Sequence, residues 1–254
     1  MTRRELRQQG EAMRERLFGH GAAPETGDRA PGFRALMSEV VYGAIWSRPG
    51  LALSDRMICT LAALAVVPRA AQLRRHAGAA LAIGLGPQAI QEVAIQIGIY
   101  AGFAASEEAL EVVNAAFVEH GVAVPAAAPR DDALDALTAR GRELLESLHG
   151  DRGYQGYAAP DNPVTSAFYP MAIQYGYGEI WFRPGLDRRQ RALCAVAAFT
   201  ALRLEAQVKR FARSALNVGV TRGEVIEAVI QTAPFSGFAP ALNALGALGD
   251  VLGD

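Results

Sequence analysis

His76 is the side chain whose type and setting best suit acid–base chemistry. It stands in Leu73-Arg-Arg-His76-x-x-x-Ala80-Leu81, one turn beyond Leu73 and one turn before Ala80. On a helix this puts it at the edge of the packed face. An imidazole gives or takes a proton near neutral pH, as a general acid or base must. The same pattern also fits a core histidine satisfied by hydrogen bonds. Glu92, Gln96 and Tyr100 follow at i, i+4 and i+8, a polar stripe on an otherwise apolar helix, and read as a structural hydrogen-bond network. Arg48 and Arg183 each precede Pro-Gly, and Arg56 and Arg191 open the next helix. A guanidinium fork can clamp an acidic ligand through two hydrogen bonds, or it can satisfy the last carbonyls of the helix before the turn. Trp46 and Trp181 read as core or interface aromatics, with Trp46 also a candidate pocket wall.

These residues belong to a repeat. Residues 42–110 recur without a gap 135 positions later, with about 27 of the 69 aligned positions identical. Tyr42-Gly43-Ala44-Ile45-Trp46-Ser47-Arg48-Pro49-Gly50-Leu51 returns as Tyr177-Gly178-Glu179-Ile180-Trp181-Phe182-Arg183-Pro184-Gly185-Leu186. Glu92 and Gln96 return as Glu227 and Gln231, which favours a role in the fold. His76 meets Phe211, Tyr100 meets Phe235 and Ala44 meets Glu179, so these polar groups survive in one copy only. His76 and Tyr100 share a copy, which points to the first repeat as the active half. Glu179 is either a solvated helix residue or the acid of a composite pocket completed by His76.

The elements that carry them read as helices. Leu73, Ala77, Ala80 and Leu81 mark one face of a helix over 70–83, and Gly84, like Gly219, suits its left-handed stop. Asp187-Arg-Arg-Gln190 and Thr221-Arg-Gly-Glu224 are capping boxes. Gln9 to Gly19 and Arg140 to Gly150 form a lead-in helix for each copy. No alternating segment of useful length predicts a strand. The expected architecture is all-α: two tandem helical domains, 1–120 and 132–254, joined by a linker over 121–131 and related by pseudo-twofold symmetry. Pro24 to Pro31 and Gly153 to Pro163 are the long loops within the halves.

Composition narrows the function. A formal net charge of −1 leaves no basic face for nucleic acid. The arginines of the first 16 residues are interleaved with Glu5, Glu11 and Glu15, unlike a targeting arm, and no apolar run reaches the ~20 residues of a membrane span. A cytoplasmic protein is expected. The two cysteines, Cys59 and Cys194, occupy equivalent apolar helical positions and read as buried core residues. His20, His120 and His149 show no metal-ligand spacing, so no metal is expected. The Gly-x-Gly pairs at 19–21 and 176–178 follow no strand and imply no nucleotide.

The string Tyr-Gly-x-Ile-Trp-x-Arg-Pro-Gly-Leu, with Arg56, the His76 segment, Glu92 and Tyr100-Ala-Gly102, resembles the carboxymuconolactone decarboxylase family, which is related to the alkylhydroperoxidase D proteins. The resemblance implies an all-α fold and subunits that close into rings. The peroxidase relatives carry Cys-x-x-Cys just before the motif histidine. Here that stretch is Arg69-Ala70-Ala71-Gln72, so thiol peroxidase chemistry is not expected. Met57 and Ala192 also replace the glutamate that often follows the motif arginine.

The resemblance implies a lyase that uses no cofactor and acts on a small cyclic carboxylate or lactone. The substrate is its own electron sink and His76 is the proton donor, so His76 and Glu179 are the expected catalytic residues. Arg48, Arg56, Trp46, Tyr100 and Arg183 are the expected substrate contacts. An isomerase, cyclase or oxidase working on a larger biosynthetic intermediate is the second expectation, and a non-catalytic binding or assembly module the third. A tandem chain should replace a subunit pair, giving a homo-oligomer, a trimer rather than a dimer, with one pocket per chain. The alanine-rich helices 188–201 and 238–249 are expected to supply its contact surface.

Overall fold

Close backbone approach at glycine sets the entry to each repeat. In the computed structural model, which describes residues 1–19, 30–125, 130–159 and 161–253 except the side chain of Tyr157, α1 (Arg3–Phe18) crosses a π-helix, Ser38–Trp46. A Cβ on Gly10 would meet the Ser38 carbonyl oxygen, and one on Gly43 would meet the Leu6 carbonyl oxygen. Only glycine allows such a crossing. Gly141 and Gly178 repeat it, where α8 (Leu134–His149) crosses the second π-helix, Ala172–Glu179.

The first repeat continues through α2 (Phe33–Met37), which runs into its π-helix, then α3 (Leu53–Val66), α4 (Ala70–Ala82), α5 (Pro87–Gln96), α6 (Gly98–Ala101) and α7 (Phe103–Glu119). The second holds α9 (Tyr169–Met171), α10 (Arg188–Ala201), α11 (Glu205–Asn217), α12 (Arg222–Ser236) and α13 (Phe238–Leu252). The fold is all-α, two similar helical segments in tandem, and no strand occurs among the described residues. Both capping boxes form, on Asp187 and on Thr221. Gly84 and Gly219 stop their helices at φ +88° and +87°. His20, most of the 24–31 loop, positions 126–129 of the linker and Pro160 lie outside the described residues. No described helix is long and apolar enough to cross a membrane.

The repeats join through α3 and α10, where Cys59, Ala62, Ala197 and Ala198 allow close packing and both cysteines are buried and unbridged. This corrects one expectation. Helix 188–201 offers no surface for another subunit, because every residue from Arg191 to Ala201 is buried within the chain. The companion repeat takes up that surface. Helix 238–249 does keep an exposed apolar edge at Phe238 and Leu242. The helix under the polar stripe breaks, since α5 ends at Gln96 and Tyr100 rides on the separate α6, yet Gln96 Nε2 still donates to the Tyr100 hydroxyl at 3.0 Å; α12 runs unbroken through Phe235.

Candidate functional site

The Arg-Pro-Gly turns and the Glu/Gln stripes meet across the repeat boundary. Arg48 donates to both oxygens of Glu227, with Nη2–Oε1 at 2.7 Å, and Arg56 donates to Glu227 at 2.8 Å and to Gln231 at 3.1 Å. The symmetric half has Arg183 and Arg191 donating to Glu92, each at 2.9 Å, and Arg191 to Gln96 at 3.1 Å. Arg56 and Arg191 also donate to the carbonyls of Arg48 and Arg183, which ties each turn to the following helix. Gly50 and Gly185, at φ +92° and +104°, let the turn close over the side chain of the opposite glutamate. Burial pulls the Glu227 carboxyl upward, but hydrogen bonds from Arg48 and Arg56 outweigh it and hold the group below the ordinary carboxylate value. The guanidiniums of Arg48, Arg56 and Arg183 are thus engaged in a brace between repeats.

His76 lies elsewhere, in an aromatic box. Its ring meets Phe18 and Phe235 edge to face at 5.5 and 5.3 Å and lies near-parallel to Trp46 at 6.2 Å. Phe235 comes from the second repeat, so the box is composite. The Nδ1 atom lies 2.8 Å from the Gln72 carbonyl oxygen. A carbonyl has no proton to give, so Nδ1 carries the hydrogen and Nε2 holds a lone pair. Nε2 is buried without a partner, as is the Trp46 Nε1 donor. Leaving such a group unpaired costs about 1–3 kcal/mol, which a ligand would relieve. Burial depresses the pKa of His76 to about 4, the Gln72 bond opposes this, and Arg75 adds to it. Half-buried Arg75 lies 4.0 Å over the face of Phe18. The imidazole therefore rests neutral and presents an acceptor.

The other expected site residues do not gather there. The ring neighbours of Tyr100 are Phe199 and Phe211 of the second repeat, so its survival in the same copy as His76 does not place the two together. Glu179 lies 3.7 Å from Arg183 and 3.9 Å from Arg130 and makes no bond to His76, whose Nε2 has no partner. Burial pushes both thiols up, that of Cys194 to about 12, so neither supplies a thiolate at neutral pH. Among the described residues no cluster of His, Cys, Asp and Glu could hold a metal.

The second repeat contains a group that the offset of 135 conceals. His149, the last residue of α8, meets Phe211 edge to face at 5.3 Å and bonds the Tyr177 hydroxyl at 2.9 Å and the Ser214 hydroxyl at 2.7 Å. It occupies the place of Phe18. Gly10 and Gly141 align the lead-in helices at a spacing of 131, which sets Phe18 against His149 directly. That signal was present in the two lead-in segments.

The sequence profile of the carboxymuconolactone decarboxylase family matches residues 31–115 and 166–250, one match in each repeat. A 4-carboxymuconolactone decarboxylase of Acinetobacter baylyi is 31% identical over 102 residues, covering 40% of this chain and 72% of its own. The nitrosuccinic acid decarboxylase of Metarhizium robertsii is 26% identical over 118 residues, 46% of this chain and 82% of its own.

Proposed function

The chain belongs to the carboxymuconolactone decarboxylase family, and on that premise we propose that it is a lyase acting on a small cyclic carboxylate or lactone, with His76 as the proton carrier. Decarboxylase-type chemistry is the activity of the family; the substrate and the role of each residue are our reading. The observation that carries it is the pair of buried, unpartnered atoms in the His76 box, the Nε2 acceptor and the Trp46 Nε1 donor. Trp181 Nε1 in the second repeat is unpartnered too, so the Nε2 acceptor is what sets the His76 box apart.

Loss of carbon dioxide from a carboxylate consumes one proton. Buried His76 is neutral, but a carboxylate seated beside it would favour the imidazolium and raise its pKa. His76 then takes up a proton at Nε2. When the C–C bond to the carboxylate breaks, its electron pair moves into the conjugated lactone, and Nε2–H delivers the proton to carbon. The Gln72 carbonyl keeps its bond from Nδ1–H and so holds the ring's orientation throughout. In this reading Trp46 lines the site, while Arg48, Arg56, Arg183 and Tyr100 act through the brace and the packing between repeats. Glu179 is placed to steer Arg183. The test is to incubate the full chain with 4-carboxymuconolactone and follow carbon dioxide release. Release above the buffer rate supports the lyase, and none at high enzyme concentration refutes this substrate.

A further inference from the structure

The brace engages Arg48, Arg56 and Arg183, yet a carboxylate substrate still needs a cation beside the box. Two arginines precede His76 on α4, and they differ. Arg74 is exposed and bonded to Glu119, Nε to Oε2 at 2.9 Å. The second repeat keeps that pair as Lys209 with Asp250 at 2.6 Å, so it belongs to the fold. Arg75 is half-buried and has no carboxylate partner among the described residues. Arg210, at the same place in the second repeat, is engaged with a partner. The free guanidinium thus belongs to the repeat that carries His76.

Its position is set by one ring. The Arg75 guanidinium lies 4.0 Å over the face of Phe18, and the same ring meets His76 at 5.5 Å. Phe18 alone separates this cation from the imidazole whose buried Nε2 has no partner. Phe18 and Arg75 are both half-buried, whereas His76 and Trp46 are each 1% exposed, so the cation stands where solvent reaches the edge of the box. A guanidinium on an aromatic face is held more weakly than one in a fork with a carboxylate, so it can turn to an anion.

The chemistry assigns that anion. A carboxylate that departs as carbon dioxide loses its charge, and an arginine bound to it would stabilise the reactant more than the transition state. The aromatic box suits the departing group. A cation outside the box suits a carboxylate that the product keeps, and 4-carboxymuconolactone has one on a methylene arm. We propose that Arg75 is the specificity-determining residue of the His76 site and grips the carboxylate that the substrate retains. The inference rests on the box being the active site. No bond is made or broken at Arg75.

The probes are 2-furylacetate, a five-membered ring on an acetate arm, and its neutral amide, each titrated calorimetrically into the full chain at pH 7. Wild type should bind the acetate saturably and at least about tenfold tighter than the amide. That preference should vanish in Arg75→Gln and persist in Arg74→Gln. A purely structural Arg75 would weaken both probes together and leave their ratio unchanged. With 4-carboxymuconolactone, Arg75→Gln should raise KM about tenfold and leave kcat within about threefold. Should Arg75→Gln fail to fold, Arg75→Lys decides, because an ammonium cannot form the fork and the preference must fall. Absence of saturable binding or of the preference in wild type, or a preference unchanged in the Arg75 variant, overturns the proposal. Carbon dioxide release with an unchanged preference overturns it alone. An Arg75-dependent preference without any release upholds it and refutes the lyase reading.

Discussion

The ring of Phe18 meets that of His76 edge to face at 5.5 Å, and the other repeat makes the same contact with the residue types exchanged, His149 against Phe211 at 5.3 Å. The contact is kept while the imidazole changes helix. Edge-to-face pairs are worth about 0.5–1.5 kcal/mol beyond their buried area. The double variant Phe18→His/His76→Phe should therefore be more stable than the two single changes sum to, by about 1 kcal/mol in urea unfolding. Strict additivity would show that the pair is not a unit.

The brace between repeats makes a second prediction. Arg56 is 1% and Glu227 9% exposed at the side chain, so removing the carboxylate leaves a buried guanidinium unpaired. Glu227→Ala, and Glu92→Ala by symmetry, should each cost about 3–5 kcal/mol. Arg48, 41% exposed, screens its charge in water, and Arg48→Ala should cost about 1 kcal/mol or less. Equal losses in all three would contradict a buried brace.

Acid should weaken the fold through its two buried imidazoles. His76 and His149 have folded values near 4 against 6.5 unfolded. The unfolded chain binds more protons between these values, so this stability is complete above pH 6.5 and is lost as pH falls toward 4. The urea midpoint should drop between pH 7 and pH 5, and less steeply in His149→Phe. A midpoint flat over that range would exclude neutral, buried imidazoles.

Assembly is the fourth prediction. Phe238 at 55% exposure, Leu242 at 65% and the symmetry-related Phe103 at 64% leave an apolar edge on α13 and α7. We expect a trimer, three chains of 27.0 kDa or about 81 kDa by light scattering. A mass near 27 kDa would refute it, and Leu242→Glu should lower the mass if α13 forms the contact.

Much of the fold was legible because it repeats. Helix stops at Gly84 and Gly219, the capping boxes on Asp187 and Thr221, and the burial of Cys59 and Cys194 all follow from local chemistry that a sequence displays. What was hidden lies between elements. The Arg48–Glu227 pairing spans 179 residues and depends on how the two repeats dock, which no periodicity encodes. The same docking carries Tyr100 away from His76 and brings Phe235 to it. The equivalence of His149 and Phe18 is hidden because the helix each one ends aligns at a spacing of 131 rather than 135, after a difference in loop length between the repeats.

The most direct test of the account is the kinetics of His76→Gln with 4-carboxymuconolactone. Glutamine keeps a polar group in the box but carries no transferable proton. General acid–base groups contribute about 10²–10⁴-fold, so kcat should fall by at least about a hundredfold while KM stays within about threefold. A His76→Gln enzyme with wild-type kcat would contradict the central claim that this buried imidazole carries the proton.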